Sequence, residues 1–516
     1  MPDILHWTGH PFVDVGIAAI CAMCGKDDPG QLTLEHLDAA AREMQEYYFS
    51  RCLNSYLSCV FMDSGYVQPG SGPAKERSRR EYAARVLFAH RAAPEPETAG
   101  LPCAFSGRPA THLIHRSQMP LLTGQGVLNF YPAGTGALPV NGPFLTALQA
   151  LPLGGRRTEG KLLVAHSDSP AVTLALARMY VDDNRRLIQL AKAGGLPLKD
   201  GPDALLPREQ AAWDAKQKCP KYPDAKSAPS LITADLMRVW DSQNFLAVDI
   251  PSPSLTVYWM SSSGQGPSLE IFHLPSNLIR FLILVNGAKT RATWNRTVAR
   301  GWSSPQSGKE DPRGRRKARI KETQPPVPGG PGRSRNGVLS DLLPIYQNGF
   351  LDLNAARTFL HRHMLPRGRE VLDGVQESKW ELTELFLREV FGMDSARVNA
   401  IRSFADRLAE YVQRTNDKKL FQRIVYSDKA WEFRIALINA QRNQAVNGGP
   451  LLFGLDDYLA VFEAEDSVGQ LDWRLTRDLI SVRLVEQLHK SGFLDKEMLA
   501  DQDGIPASDS ESRMGD

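Results

Sequence analysis

The sequence predicts an α+β protein: a mixed N-terminal domain with short strands and Gly/Pro-rich loops, followed by a C-terminal all-α helical bundle. Three observations predict this. Leu101–Asp168 is dense in Gly and Pro yet carries apolar runs at Val127–Tyr131 and Leu162–Ala165, the mark of short strands joined by shaped turns. From Val338 to Leu494 the apolar residues recur with the helical period. Between them, Trp302–Asn336 is a run of Pro, Gly, Ser, Lys and Arg that cannot bury a core. The expected division is a mixed domain over 1–301, a basic disordered linker over 302–336, the bundle over 337–499 and a disordered acidic tail over 500–516.

Composition bounds the class. A chain of 516 residues suggests several domains, and 42% apolar with 23% charged residues is ordinary for a globular protein. A net charge of +3 gives no global field, so any surface for nucleic acid must be local. MPDILHWTGHPF has no basic start and no long apolar run, and no stretch approaches the length of a membrane span. Six sparse cysteines fit a reducing compartment. The expected location is the cytoplasm, with no membrane partner.

In chain order, Phe12–Cys24 reads as a short, almost wholly apolar helix, with Asp14 as a cap and Cys21 and Cys24 as buried, inert thiols. Thr33 caps a helix from Leu34 to about Arg51 whose stripe is Leu34, Leu37, Ala41, Met44 and Tyr48. Gln68–Arg80 reads as an exposed basic loop. Ala171–Ala193 is helical with a charged interruption at Asp182–Arg186, Leu196–Ser230 is irregular surface, and Leu231–Trp240 gives a turn or two of helix. Leu255–Met260 and Leu269–His273 form a hairpin. A second hairpin is expected where Arg280–Val285 and Lys289–Asn295 flank Asn286-Gly287. In the bundle, helices are expected at Leu353–Met364, Lys379–Phe391, Ala396–Gln413, Trp431–Gln441 and Trp473–His489. The third carries the stripe Val398, Ile401, Phe404, Ala405, Leu408 and Val412.

The chemistry is legible mainly as charge. No Walker A, GxGxxG, HExxH or GxSxG sequence occurs, and neither cofactor nor metal is expected. Cys103, His112 and His115 supply less than the paired ligands of a closed zinc site. His166-Ser167-Asp168 reads as a strand terminus. Shaped glycine loops with Arg108, Arg116, Arg156, Arg157 and Lys161 suit phosphate contact. In the same loops, the amides of Gln125 and Asn129 suit base edges. Lys309–Arg335 holds nine basic against three acidic residues, a local net charge of +6, with Arg315, Arg316, Lys317 and Arg319 at its centre. Arg397–Arg423 holds seven against three, including Arg402, Arg407, Arg414 and Lys418.

TGHPFVDVGIAAI, CAFSGRP at Cys103–Pro109, NFYPAGTGALPVNGPFLTALQALPLG and KLLVAHSD together resemble the large subunit of type I CRISPR surveillance (Cascade) complexes. The similarity is to the CxxC…CxxC branch of subtypes A and B, and covers roughly the first 170 residues by motif. Full members of that branch carry thiols where this chain has Gly155 and Thr158, and Ser106 stands where a pair would end, so the resemblance implies no zinc here. It also implies a non-catalytic subunit near the 5′ end of a guide RNA. Such a subunit recognises the motif flanking a double-stranded DNA target and aids duplex opening. Its C-terminal bundle resembles a small subunit, binds the displaced strand and helps recruit a nuclease-helicase. Two other classes stay open: a degenerate zinc-finger nuclease of the HNH kind, built on Cys103, His112, His115 and Asn129, and a non-catalytic scaffold of another assembly.

Overall fold

A computed structural model of the chain describes residues 3–49, 53–67, 72–122, 136–158, 160–193, 213–214, 219–220, 228–243, 253–262, 267–303, 335–347, 350–365, 376–427, 429–462 and 473–494. The chain forms two units, Met1–Asn286 with Asn295–Asp352, and Gly287–Trp294 with Leu353–Asp516. The fold class is α+β, with a helical C-terminal region.

The first unit is built around α1 (Pro11–Met23). Pro11 opens it, where the missing N–H costs nothing. Every residue from Phe12 to Cys21 is buried, Asp14 included. A helix apolar on all sides must be enclosed on all sides. After it come α2 (Leu34–Phe49), α3 (Asn54–Val60) and α4 (Pro73–Val86). Thr33 caps α2 by accepting from the His36 N–H at 3.4 Å, and Leu37, Ala41, Met44 and Tyr48 are buried as expected, while Leu34 is half-buried. Gln68–Arg80 is corrected: from Pro73 onward it is helix, because Arg79, Ala83 and Val86 turn inward together at helical spacing.

A two-stranded ladder follows, β1 (His112–Ile114) against β2 (Leu138–Val140). Next are α5 (Gly142–Ala150), β3 (Arg156–Thr158), β4 (Lys161–Ser167) and α6 (Pro170–Ala193). The helix α6 runs through the charged interruption at Asp182–Arg186, because Asp183 and Asn184 are buried with partners: Asp183 takes both ends of Arg238, and Asn184 donates to Leu153 O at 2.9 Å. A short pair, β5 (Trp213–Asp214) and β6 (Cys219–Pro220), and α7 (Ala228–Gln243) lead to β7 (Leu255–Ser261) and β8 (Ser268–Leu274). The antiparallel sheet has the order β3–β4–β7–β8, with Ala165 opposite Val257 and Val257 opposite Phe272. α1 packs on α5, α6 and β4.

The expected second hairpin does not form. Its segments lie in α8 (Ser276–Leu284) and α9 (Arg291–Arg300). Leu278, Ile279, Phe281 and Leu282 are all buried, a helical spacing, and Asn286-Gly287 separates two helices instead of turning two strands.

The 302–336 stretch is closed at its base. β9 (Trp302–Ser303) pairs antiparallel with β10 (Arg335–Asn336), and the Asn336 amide donates to Val298 O at 2.8 Å. The residues between, including the basic centre, lie outside the described residues, as does 500–516. Beyond the pair, α10 (Gly337–Leu342) packs on α7, and β11 (Tyr346–Gln347) pairs with β12 (Phe350–Leu351). Residues 337–352, grouped with the bundle in the sequence reading, therefore belong to the first unit. Their apolar residues Val338, Leu339, Leu342 and Ile345 are buried. Trypsin cutting within 304–334 is accordingly expected to leave 337–352 bound to the N-terminal piece under native conditions. Size-exclusion chromatography of the nicked protein, followed by denaturing electrophoresis, checks this; separate elution of the two pieces would refute it.

The second unit is helical: α11 (Leu353–Phe359), continued by a π turn at Leu360–Met364, then α12 (Gln376–Glu389), α13 (Ser395–Thr415), α14 (Lys418–Tyr426), α15 (Ala430–Val446), α16 (Leu455–Phe462) and α17 (Trp473–Lys490). The expected stripe of α13 is buried at every position. It packs on α16 and α17, and Arg483 of α17 grips Asp406 at 2.7 and 3.1 Å. The short helices α14 and α16 were not legible in the sequence. Asp417 caps α14 by accepting from the Leu420 N–H at 2.9 Å.

Candidate nucleic-acid interface

The motif stretches of the first 170 residues meet around His10 and Asp14. The loop Thr8–His10 turns into α1, and the buried Asp14 carboxylate closes that turn. Its Oδ1 accepts from the Thr8 N–H and hydroxyl at 2.8 Å, and its Oδ2 from the Gly9 N–H at 2.9 Å. His166, at the end of β4, reaches the same Oδ2 through Nε2 at 3.2 Å. Burial alone would raise the Asp14 pKa, but the hydrogen bonds from His166 and Thr8 outweigh it and hold the carboxyl below its ordinary range. The His10 ring stacks edge-on to Phe105 at 5.2 Å, and Phe105 lies 6.4 Å from Phe144 of α5. Burial pushes the His10 imidazole down, against the pull of Asp14.

Four donors engage the Asp14 carboxylate. The cluster locks loops together. Asp168 is engaged in the same way, accepting from the Ser254 N–H at 2.8 Å and its hydroxyl at 2.9 Å. His166-Ser167-Asp168 thus joins β4 to α1 and to the start of β7.

The basic residues of Leu101–Asp168 have intramolecular partners. Arg108 donates to Asp3 O at 2.7 Å, and Arg116 pairs with Asp63 at 2.6 Å. Arg156 is sealed with the buried Asp235 at 2.8 Å, and the Tyr180 hydroxyl donates to that carboxylate at 3.1 Å. Burial raises the Asp235 pKa, and Arg156 opposes it. This pair fastens β3 to α7 and removes Arg156 from any ligand. Lys161 is different: its ammonium lies 3.9 Å from the centroid of the half-buried Trp259 ring and 3.1 Å from Glu270. The ammonium covers the indole face in a cation–π contact. Trp259 escaped the sequence reading because only the β4–β7 register brings it beside Lys161. Gln125, Asn129, Arg315, Arg316, Lys317 and Arg319 lie outside the described residues.

The bundle cations do not form one surface. Arg407 and Arg414, seven apart, share a side of α13, while Arg402 lies roughly 140° around from Arg407. Each meets a different neighbour: Arg402 lies 5.3 Å from the Trp380 ring, Arg407 pairs with Asp457 at 3.1 Å, and Arg414 donates to Gln444 at 2.6 Å. Lys418 is the first residue of α14.

Cys103, His112 and His115 do not converge. Cys103 is buried, the His112 ring meets the Thr111 hydroxyl at 2.8 Å, and the His115 ring meets the Ser117 hydroxyl at 2.9 Å. Burial lowers both imidazoles. Among the described residues, no three His, Cys, Asp or Glu are grouped to hold a metal. Cys21 is buried and its thiol is pushed up to about 12, chiefly by burial; Cys24 is raised by the same cause. Among the described residues no helix is long and apolar enough to cross a membrane.

No protein-family model matches the chain, and no curated protein matches it.

Proposed function

We propose that this chain is the large subunit of a type I CRISPR RNA-guided DNA-surveillance complex acting in antiviral defence in the cytoplasm. It takes guide RNA, double-stranded target DNA, the other complex subunits and a nuclease-helicase as partners. In this reading it recognises the target-flanking motif, aids duplex opening and performs no catalysis. The observation that supports it is the convergence of the motif stretches. TGHPF, CAFSGRP, NGPFL and VAHSD lie up to 160 positions apart, yet His10, Phe105, Phe144 and His166 belong to one cluster. Stretches that resemble a family only in combination are thereby parts of one structural unit.

Co-expression with the other subunits and a guide array tests the reading directly. A guide RNA of uniform 5′ end should co-purify stoichiometrically; purification free of RNA would reject it. Asn129→Ala and Gln125→Ala should then change which flanking sequences are accepted, while Arg108, Arg116 and Lys161 contribute phosphate contacts insensitive to sequence.

For the bundle and the 302–336 stretch, binding of the displaced strand should be electrostatic, with log affinity falling by roughly 0.7 per log salt for each phosphate contact. The geometry dictates the variants. Arg407→Glu would face Asp457, so charge removal by Gln at Arg402, Arg407, Arg414 and Lys418 separates binding from folding. The same change at Arg315, Arg316, Lys317 and Arg319 distinguishes the two segments. An unchanged salt slope in both sets would show that the strand runs elsewhere.

A further inference from the structure

The helix α15 is apolar on two opposite sides. Phe433, Ala436, Leu437 and Ala440 are buried within the bundle. On the other side Trp431, Ile435 and Ile438 are 57%, 47% and 55% exposed. A helix with two apolar faces is normally covered on both, and here one is bare. Of ten large apolar side chains exposed among the described residues, seven fall between Trp431 and Leu459. Single exposed apolar residues are ordinary, whereas a contiguous run marks an interaction surface. Gln441, one turn beyond Ile438, ties the following segment to the helix. It donates to Phe453 O at 3.0 Å and accepts from the Leu452 N–H at 2.8 Å, which draws the loop carrying Leu451 against α15.

Spacing and charge say what fits. Trp431, Ile435, Ile438, Arg442 and Ala445 follow in steps of four and three, the seam along which a second helix lies. Exposed Lys429 precedes the helix, exposed Arg434 borders the seam and exposed Arg442 lies within it; Arg434 and Arg442 enter no ion pair among the described residues. Glu432, the acid on this helix, sits 3.9 Å from Lys429, and Asp456 and Asp457 lie in the first turn of α16.

We propose that this face receives an amphipathic α-helix from a protein partner, apolar along its seam and rimmed by Asp or Glu. A second copy of this chain fits poorly, because the basic rims would oppose each other. Nucleic acid fits poorly too, because Trp431 is the single aromatic among these seam residues, and base stacking needs a series of aromatic platforms. This inference does not rest on the guide-RNA reading, and either can fail without the other.

The test uses the full chain and a fluorescent 21-residue helical peptide with leucine at a and d and glutamate at e and g, a pattern that keeps it from pairing with itself at neutral pH. Fluorescence anisotropy should show binding, and a matched peptide with lysine at e and g should not bind. Ile435→Glu/Ile438→Glu should weaken binding at least tenfold, with the circular dichroism spectrum unchanged because both positions face solvent. Arg434→Glu/Arg442→Glu keeps the apolar seam and should reverse the preference toward the lysine-rimmed peptide, which guards against a folding defect in the first variant. Equal affinity for both peptides overturns the proposal. So does a chain dimer in sedimentation that Ile435→Glu/Ile438→Glu dissolves, which would assign the face to a second copy. Displacement of the peptide by a single-stranded oligonucleotide also overturns it, in favour of nucleic acid.

Discussion

Replacing Gly16 by alanine is expected to unfold or severely weaken the first unit. A Cβ at this position would sit 2.1 Å from the carbonyl oxygen of Ala147, which is backbone and cannot rotate aside. Helix α1 would have to move off α5, and every residue from Phe12 to Cys21 is packed against something. Overpacking of this kind costs about 3 kcal/mol or more. The sign is diagnostic, since glycine to alanine inside an unobstructed helix gains up to ~1 kcal/mol. Urea unfolding followed by circular dichroism should show a lower midpoint for the first transition. Ala147→Gly should fail to rescue it, because the obstruction is the carbonyl and not the side chain. A Gly16→Ala variant as stable as the parent would mean that α1 and α5 do not approach as described.

Asp14→Ala should cost about 3 kcal/mol, because it removes the buried carboxylate that accepts from the N–H groups of Thr8 and Gly9 and that ties them to His166. The effect depends on pH in a definite direction. The folded-state pKa of Asp14 is depressed from 3.8, by hydrogen bonds that overcome burial. Its contribution is therefore fully present above that ordinary value and is lost as pH falls through the depressed one. The gap in stability between parent and variant should be constant near neutral pH and shrink below pH 3.8. A gap that widens on acidification would show that the carboxylate is not the acceptor assigned here.

The sequence by itself determined those elements whose pattern is local. The stripe of α13 from Val398 to Val412, the α2 cap at Thr33, the β7–β8 hairpin and the enclosure of α1 all follow from periodicity and capping, which each segment carries internally. Asn286-Gly287 misled because the same dipeptide punctuates helices and hairpins alike. Which it does depends on whether Leu278, Ile279, Phe281 and Leu282 are buried as a helical face, a property of the neighbours they pack against. The tertiary structure alone decided which charges are spent internally and which residues meet. Arg156 and Lys161 look equivalent in sequence, but one is buried against Asp235, 79 positions away, and the other lies over Trp259 and pairs with Glu270 across the sheet. It alone paired Trp302–Ser303 with Arg335–Asn336, joining residues 337–352 to the first unit, and left one face of α15 bare. Long-range ion pairs and strand pairings depend on distances that the folded backbone sets, and no local pattern encodes them.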